Sequence, residues 1–491
     1  MNSNLRKTHR LALSFLLAGA GFPAWPAGAG QTNAPASTSF GPLPRPSQTA
    51  NAVHLSTAEQ LGKDIFFDAT LSHPSGYSCA TCHLPAAGFT SPSSPVNEYS
   101  GPVPGVVPGR FGHRKPQAVA YSAFSPEGPY FDTALQVYLG GNFWDGRAAD
   151  SAAQARMPFL DPDEMANVPV GPLPPPAGGY SPLVAEKLQK RPYTALFERI
   201  FGAGVFQSAT DEELFTLATA AIEAYERSGD VNPFSSKYDA SQYGMPPFAH
   251  YRLTAAEENG RALFFGAAQC SQCHSSAGVD SVQAVTLGKQ TFTMYCYANI
   301  GVPANPQNPV YSETNFTANP NGSNPLGAAF IDFGLGANPN PSPDGARFMV
   351  NTPGDIPAFR GLFKAPSVRN VDLRPHQTFV KSYMHNGVFK SLEEVVHFYN
   401  KRNIAVNAAG AEVAFSLLGA PPAGYTPLFA PPEVLENVQN VVGASPAEAG
   451  NFIFNNGQVG NLGLTAQQEA DLVSFLRILS DGFMRPHPIG Q

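Results

Sequence analysis

Two short motifs of the form Cys-x-x-Cys-His, CATCH and CSQCH, have residue types and spacing suited to chemistry in this chain of 491 residues. Their residues are Cys79, Cys82 and His83 in the first motif and Cys270, Cys273 and His274 in the second. Two thiols one helical turn apart can bond the two vinyl groups of a porphyrin, and the adjacent imidazole can bind the iron. A zinc site or a thioredoxin-like redox pair would also use Cys-x-x-Cys, but neither needs a His directly after it. The spacing predicts two covalently bound c-type haems, with His83 and His274 as iron ligands.

The activity of each predicted haem depends on the other axial position of its iron. An electron carrier usually has strong ligands on both sides of the iron, which leaves no room for a substrate. A peroxidase leaves one iron open beneath polar side chains that move protons. The side chains that face each haem therefore decide between transport of electrons and catalysis.

One cysteine lies outside the two motifs. Five cysteines in an exported chain would ordinarily suggest disulfides, but the haem motifs account for four of them. Cys296, in the stretch FTMYCYANIG, is left over. We interpret it as a buried thiol, with a free reactive cysteine as the alternative.

An internal repeat predicts the helices that must position the two motifs. LSTAEQLGKDIFF (Leu55–Phe67) matches LTAAEENGRALFF (Leu253–Phe265), and each copy precedes one haem motif. Both copies begin with a capping box, in which a hydroxyl accepts from a free backbone N–H and a Glu reaches back. The capping pairs are Ser56 with Glu59 and Thr254 with Glu257. The repeat predicts two related helical domains, 51–248 and 249–485, divided near Pro246–Tyr251.

Further helices and long loops complete the predicted fold. Apolar residues at helical spacing and N-terminal capping residues predict helices over 211–228, 391–402 and 464–480. Segments rich in Pro, Gly and Asn predict loops over 92–142, 168–182 and 303–360. Strand signals are weak. We expect a mainly α protein with two cytochrome c-like haem domains and long Pro/Gly-rich loops.

The first 29 residues have the pattern of a secretory signal peptide. A basic start precedes an apolar run (Leu11–Phe22) and small residues at Ala27 and Ala29. An uncleaved membrane anchor is the alternative, but the run is short for a bilayer span. We expect cleavage near Ala29, a flexible segment over 30–50, no membrane span after signal removal and a periplasmic location. The net charge of −7 without long basic runs argues against nucleic acid as a partner.

Six longer motifs extend the pattern beyond the haem attachment sites. They are LGKDIFFDATLS, FWDGRAADSAAQARMPFLDPDEM, YANIGVP, FKAPSVRNVDL, YMHNGVFKSLEEVVHFYN and EADLVSFLRIL. Together with CATCH and CSQCH, they make the chain resemble the bacterial di-haem cytochrome c peroxidase family, including its MauG-like branch. The resemblance runs from about Leu55 to Leu479 in the order found in the family. It implies that the N-terminal haem reacts with peroxide and that the C-terminal haem transfers electrons.

The resemblance also implies which polar side chains lie over the first haem. The family has a distal Gln, a distal Glu ten residues later and a Pro between them, and Gln154, Glu164 and Pro158 stand at these places. A carboxyl over the iron can move a proton from one peroxide oxygen to the other as a general acid and base. Gln154 would orient the peroxide by hydrogen bonding. Because burying an unpaired carboxyl is costly, a functional role for Glu164 is favoured.

Trp144 lies in the FWDGR motif, which in the family places a Trp between the two haems. Signal removal would take away Trp25 and leave Trp144 as the only tryptophan. The resemblance therefore predicts that Trp144 conducts electrons or holes. An aromatic side chain that only fills the core is the alternative.

The second axial ligand of the C-terminal haem distinguishes the branches of the family. Ordinary peroxidases use a Met there, and its soft sulfur raises the reduction potential. The stretch SLEEVVHFYN has Tyr399 at that position, as in the MauG-like branch. A phenolate would lower the potential, so we predict that Tyr399 ligates the second iron and that His385 lies nearby. The alternative is that Tyr399 packs beside the haem while Met384 or another residue ligates.

The chain departs from the family pattern at three places. In ordinary peroxidases a His blocks the N-terminal iron until activation, and His113 is near that place but out of register. The family holds Ca²⁺ between its domains partly through an Asn, and Lys115 of HRKPQ stands near that Asn. This weakens the expectation of bound calcium. The loops 92–142 and 303–360 are longer than in compact members and could cover a haem edge or contact a protein partner.

The sequence thus predicts a periplasmic di-haem peroxidase that reduces hydrogen peroxide at the N-terminal haem with electrons relayed through the C-terminal haem. A MauG-like oxidase that uses peroxide or O₂ to modify a protein substrate is the alternative, and Tyr399 favours its chemistry. A di-haem electron carrier without turnover is a third hypothesis, against which Glu164 argues. Expected partners are hydrogen peroxide and either a small redox protein, a cytochrome c or a cupredoxin, or a protein substrate. Family members often form homodimers, and this chain is compatible with one.

Overall fold

The computed structural model is helix-dominated, with small sheets between the helices. It describes residues 55–132, 135, 137–167, 182–243, 252–275, 289–312, 326–337, 359–438 and 459–484. The predicted signal peptide, the segment 30–50 and the predicted domain boundary at Pro246–Tyr251 lie outside these ranges, as do most of the predicted loop 168–182 and parts of 303–360. Within the described ranges, no helix is both long and apolar enough to cross a bilayer.

The α-helices of the described residues vary from one turn to more than four. They are α1 (Thr57–Phe66), α2 (Cys79–Cys82), α3 (Ser94–Tyr99), α4 (Ser151–Leu160), α5 (Pro182–Leu188), α6 (Thr194–Phe201), α7 (Val205–Ser208), α8 (Asp211–Glu226), α9 (Lys237–Tyr243), α10 (Ala255–Phe265), α11 (Leu392–Lys401) and α12 (Ala466–Arg477). Helices α8, α11 and α12 confirm the three helices predicted from periodicity. The capping box of Thr465 and Gln468 at α12 is also present.

The strands are two to four residues long and pair antiparallel. They are β1 (Tyr130–Asp132), β2 (Val137–Leu139), β3 (Tyr297–Ala298), β4 (Phe363–Lys364), β5 (Ile404–Asn407), β6 (Glu412–Ala414) and β7 (Tyr425–Pro427). β1 pairs with β2, β3 pairs with β4, and β5 lies between β6 and β7. The expectation that 92–142 is all loop is wrong, because this segment contains α3, β1 and β2. Strands this short give no alternating pattern that a sequence could reveal.

The two repeated helices, α1 and α10, pack against long helices in equivalent ways. Both predicted capping boxes are present, at Ser56 and at Thr254. α1 packs on α8, and α10 packs on α12. A Cβ atom added at Gly62 would lie 1.9 Å from the carbonyl oxygen of Ala221, and one added at Gly260 would lie 2.0 Å from that of Asp471. Glycine at the same position of each repeat therefore allows close approach of the helix backbones.

Two large hydrophobic clusters accompany the two repeats. One is built around α1, α4, α6 and α8, and the other around α10, α11 and α12. Arg369 lies between aromatic side chains of both clusters, with its guanidinium 4.6 Å from the Phe234 ring centre and 5.4 Å from that of Phe292. Its Nη atoms donate to both carboxylate oxygens of Asp239 at 2.9 and 2.7 Å. The charged pair thus occupies the seam between the two apolar clusters.

Candidate active site

The first Cys-x-x-Cys-His motif forms the one-turn helix α2 and the residue after it. The His83 amide donates to the Cys79 carbonyl at 2.9 Å, which places both cysteines and the imidazole on one turn. Nδ1 of His83 lies 3.1 Å from the Phe89 carbonyl oxygen. When Nδ1 donates this bond, Nε2 carries the lone pair that binds a metal. Burial lowers the pKa of His83 to about 4, which keeps the imidazole neutral and able to ligate.

The second motif has the same arrangement. Cys270–Gln272 form a 3₁₀ turn, and the His274 amide donates to the Cys270 carbonyl at 2.9 Å. Nδ1 of His274 lies 3.0 Å from the carbonyl oxygen of Pro366, and burial lowers its pKa to about 4. All four motif cysteines are free of disulfides. Both motifs therefore fit a haem held by two thioether bonds and one neutral imidazole.

A pocket opens in front of the first motif. It contains about 1300 Å³ of space free of protein atoms, part of it open to solvent. Cys79, Cys82 and His83 line one part of it. The other predicted residues that line the same pocket are Gln154, Pro158, Glu164, Trp144 and His113. The fold thus brings the first attachment site and its predicted distal side chains into one cavity.

Helix α4 and the turn after it position Gln154 and Glu164. The carboxylate of Asp150 caps the helix by accepting from the Ala153 amide at 2.7 Å. Pro158 has no N–H to donate to the Gln154 carbonyl, so the last turn of the helix is weakened and the chain can turn. The Glu164 amide then donates to the Asp161 carbonyl at 3.1 Å. This turn directs Glu164 back into the pocket that Gln154 lines.

The Glu164 carboxyl is held in its neutral form by its surroundings. Burial, with smaller contributions from the nearby carboxyls of Asp161 and Asp163, raises its pKa to about 8. The guanidinium of Arg147 acts in the opposite direction. A carboxyl with a pKa close to neutral can both give and take a proton, as acid–base catalysis requires.

Trp144 is buried between the pocket and the segment that orients His274. Its Nε1 donates to the Lys115 carbonyl at 2.9 Å, and its own carbonyl accepts from the Lys364 amide at 2.8 Å. Lys364 is two residues before Pro366, whose carbonyl holds His274. The motif also needs Gly146, with φ of +70°, because a Cβ there would lie 2.3 Å from the Tyr297 hydroxyl. Trp144 therefore lines the first pocket and is hydrogen-bonded to the strand that precedes Pro366.

Tyr399, on α11, lies beside the second motif. It packs against the same hydrophobic cluster as Cys270. Burial raises the pKa of its phenol, and the Cys273 and Cys270 thiols raise it further. Met384 packs in the same hydrophobic cluster. The ring of His385 stacks on Phe363 at 3.6 Å and meets Trp144 edge-on at 6.5 Å. The rings of His385 and Trp144 are therefore in edge-on contact.

Cys296 is fully buried, in keeping with its interpretation as a buried thiol. It packs in a small cluster with Val137, Leu139 and Met294, and Cys273 packs against that cluster. Hydrogen bonding to Cys273, followed by burial, raises the pKa of the Cys296 thiol. A thiol held in its neutral form is a poor nucleophile, so these surroundings argue against the reactive alternative.

Several charged residues of the site were missed by sequence reasoning. Arg114 donates to both carboxylate oxygens of Asp332 at 2.7 Å and pairs with Asp145 at 2.7 Å, so it ties FWDGR to a distant segment. Arg147 lies 3.6 Å above the Phe143 ring. Glu226, at the end of α8, lines the pocket, and burial raises its pKa to about 8. The sequence offered a signal for Arg147 alone, since it belongs to the FWDGR motif. The other residues make their contacts between segments that are distant in the chain.

Comparison with known proteins identifies the family. A model of di-haem cytochrome c peroxidases matches residues 56–245. The methylamine utilization protein MauG of Paracoccus denitrificans is 36% identical over 342 residues, covering 70% of this chain and 73% of that protein. The chain belongs to the di-haem cytochrome c peroxidase and MauG family. It is therefore an oxidoreductase whose cofactors are two c-type haems.

Other members of the family support the same assignment. Cytochrome-c peroxidase IdrP1 of Denitromonas iodatirespirans is 27% identical over 366 residues, covering 74% of this chain and 77% of that protein. The crystal structure of the diheme peroxidase BthA from Burkholderia thailandensis matches with a TM-score of 0.60 at 26% identity. The match covers 88% of each chain. The family peroxidases and MauG are thus both similar to this protein along most of its length.

Proposed function

We propose that this protein reduces hydrogen peroxide to water at the haem attached to Cys79 and Cys82. Electrons would reach that site through Trp144 from the haem held by His274. The main support for this proposal is that Glu164 lines the same pocket as the CATCH motif and has a pKa raised to about 8. An electron carrier needs no such titrating carboxyl in front of its iron.

Cys79, Cys82 and His83 would hold the first haem, whose iron would supply the redox chemistry for reducing peroxide. Glu164 accepts the proton of the nearer peroxide oxygen and delivers it to the departing oxygen, which leaves as water. Gln154 orients peroxide through its side-chain amide, from the helix that forms the other wall of the pocket. His83 is kept neutral and is oriented by the Phe89 carbonyl.

Trp144 is proposed as the group through which electrons or holes pass. Its ring lines the first pocket, its backbone carbonyl binds Lys364, and His385 meets it edge-on. These contacts hold the indole in one orientation. We infer that the segments 51–248 and 249–485 are cytochrome c-like domains, each with one haem, and that Trp144 lies on the route between them.

A second candidate function is the oxidation of a protein substrate, as a MauG-like enzyme. The phenol of Tyr399 lies beside the second motif, and MauG of Paracoccus denitrificans is 36% identical. We infer that Tyr399 ligates the second iron. An anionic oxygen ligand lowers a haem potential, which suits storage of oxidising equivalents better than uptake of electrons from a donor.

The proposed partners follow from these two functions. A peroxidase would take electrons from a small redox protein, a cytochrome c or a cupredoxin, whereas a MauG-like enzyme would dock a protein substrate. A periplasmic location is proposed from the signal-peptide pattern of the first 29 residues and from haem attachment through Cys-x-x-Cys-His. A homodimer remains compatible with this assignment.

An absorption spectrum from the visible to the near infrared tests the proposal. The fully oxidised holoprotein is mixed with one equivalent of H₂O₂, and Glu164→Gln serves as the control. A rapid change in the oxidised protein that Glu164→Gln abolishes supports peroxide chemistry at an open first iron. A spectral product that persists for minutes favours the MauG-like function. A rapid return of the spectrum to that of the starting protein, once a reduced cytochrome c is added, favours the peroxidase. No reaction in either redox state would contradict both functions.

A further inference from the structure

Lys381 is a buried lysine whose ammonium joins two distant segments. Its side chain is 3% exposed. Nζ donates to the carbonyl oxygens of Ala87 at 2.9 Å, Asn370 at 3.1 Å and Leu373 at 2.9 Å. An ammonium has three donors and no acceptor, so these three carbonyls satisfy it completely. Such an arrangement of carbonyl oxygens around one cation resembles the coordination of a bound metal ion.

A second buried lysine, Lys115, lies beside this cluster. Its Nζ donates to the Thr90 hydroxyl at 2.9 Å and to the Pro116 carbonyl at 3.3 Å. Its amide donates to the His385 carbonyl at 2.8 Å. Burial lowers the pKa of Lys381, and repulsion from Lys115 lowers it further, so the two ammonium groups are close enough to act on each other. The carboxyl of Asp372 acts in the opposite direction on the pKa of Lys381, and it is itself bound to Arg374.

The carbonyls that Lys381 binds are close in the chain to those that orient the two iron-binding imidazoles. Ala87 is two residues before Phe89, whose carbonyl meets His83. Asn370 is four residues after Pro366, whose carbonyl meets His274. A cation that fixes both segments therefore helps to fix the orientation of both imidazoles.

We propose that the Lys381 ammonium, with Lys115 beside it, is the internal cation between the two haem-bearing segments and excludes the Ca²⁺ that the family resemblance implies. The residues present do not fit calcium. Ca²⁺ prefers several oxygen ligands that include carboxylates, and two ammonium groups would repel it. Among the described residues, no group of three or more His, Cys, Asp or Glu could hold a metal ion. Lys381 is a positioning residue, because it acts on the imidazoles through backbone carbonyls.

The first experiment uses the wild-type holoprotein, and it does not depend on the peroxide activity. The protein is purified in buffer containing Ca²⁺ and dialysed against a chelator, and its calcium content, melting temperature and two haem midpoint potentials are measured. We expect no stoichiometric calcium and no change in the melting temperature or the potentials after chelation. A calcium content of about one Ca²⁺ per chain would overturn the proposal. So would a change in the melting temperature or the midpoint potentials upon chelation that added Ca²⁺ reverses.

The second experiment removes the charge of Lys381. Lys381→Met should lower the melting temperature and shift both haem midpoint potentials, since three carbonyls lose their donor and both imidazoles can reorient. Lys381→Arg should restore part of both shifts. The matched control is Lys390→Met, because Lys390 also donates to two carbonyls, of Asn97 and Gly387 at 2.7 Å each, but is half-buried. A Lys381→Met protein with wild-type potentials would contradict the positioning role, and the chelation result stands even if that variant does not fold.

Discussion

Two of the carboxyl groups that line the first haem pocket, those of Glu164 and Glu226, have a pKa raised to about 8, chiefly by burial. They differ in position. Glu164 follows the α4 turn and is affected by Asp161 and Arg147, whereas Glu226 ends α8 and is affected by Glu223 and Arg227. The proposed function gives Glu164 the proton-transfer role and gives Glu226 none. The similar pKa values make the two carboxyls a matched pair for mutation.

Replacing Glu164 by Gln preserves the size of the side chain and removes its ability to transfer protons. We expect both haems to remain attached and the second-order rate constant for peroxide to fall by about 10²- to 10⁴-fold, the usual range for loss of a general acid–base group. Stopped-flow absorbance measures that constant. Glu226→Gln, the control, should cause a much smaller loss. Equal losses in the two variants would contradict a specific role for Glu164.

The rate constant should also depend on pH through Glu164. Proton acceptance from peroxide requires the carboxylate, which forms only as the pH rises through the folded pKa of about 8. The rate constant should therefore rise with pH, with an inflection near that value, and fall as the carboxyl protonates at lower pH. The Glu164→Gln protein should lack the inflection. An inflection that survives in this variant would belong to another group.

At the scale of the helices, Gly62 and Gly260 set the distance between packed backbones. A Gly→Ala change in an exposed helix usually stabilises it by about 0.5–1 kcal/mol. Here the sign should reverse, because the added methyl would overlap a carbonyl oxygen of α8 or α12. We expect each variant to lose about 1–3 kcal/mol of unfolding free energy through overpacking. Chemical denaturation of the holoprotein measures the change.

The control for this prediction is Gln60→Ala on the exposed face of α1. Its side chain makes only a local hydrogen bond to Asp64 at 2.8 Å. Changes at such surface positions usually stay within about 0.5 kcal/mol. If Gly62→Ala is as stable as Gln60→Ala, the close packing of α1 on α8 is not the reason for glycine in the repeat.

At the scale of the whole molecule, Arg369 and Asp239 form an ion pair between the two hydrophobic clusters. Both residues are buried, and their closest N–O distance is 2.7 Å. Burial is the largest single influence and would raise the pKa of Asp239, but the charge and hydrogen bonds of Arg369, together with hydrogen bonds from Ser236, lower the pKa overall. The stabilisation is therefore complete above the usual pKa of Asp and is lost as the pH falls through the lower folded value.

Replacing Arg369 by Met should destabilise the protein by about 3–5 kcal/mol, because Asp239 would remain buried without its partner. Denaturant unfolding near neutral pH measures this loss, which should diminish under acidic conditions. Arg261→Met is the control, since Arg261 pairs with Glu258 at the surface and such pairs contribute at most about 1 kcal/mol. Equal effects of the two substitutions would show that the buried pair does not join the clusters as described.

The sequence by itself determined the features that depend on neighbouring residues. The haem motifs need only two thiols and an imidazole within five positions, and the capping boxes of α1, α10 and α12 need a hydroxyl and a Glu or Gln three residues apart. Helices α8, α11 and α12 were also predictable, because each buries one face whose apolar residues recur with a period of 3.6 residues. The short strands were not, since two to four residues cannot show a pattern.

Only the tertiary structure decided which groups meet. Lys381 and Ala87 are 294 residues apart, and Arg369 and Asp239 are 130 apart. The raised pKa of Glu164 likewise arises from burial and from charges that the fold gathers around it. Such effects depend on distance through space and on exclusion of water. Both quantities are defined only in the folded chain, so the sequence alone does not give them.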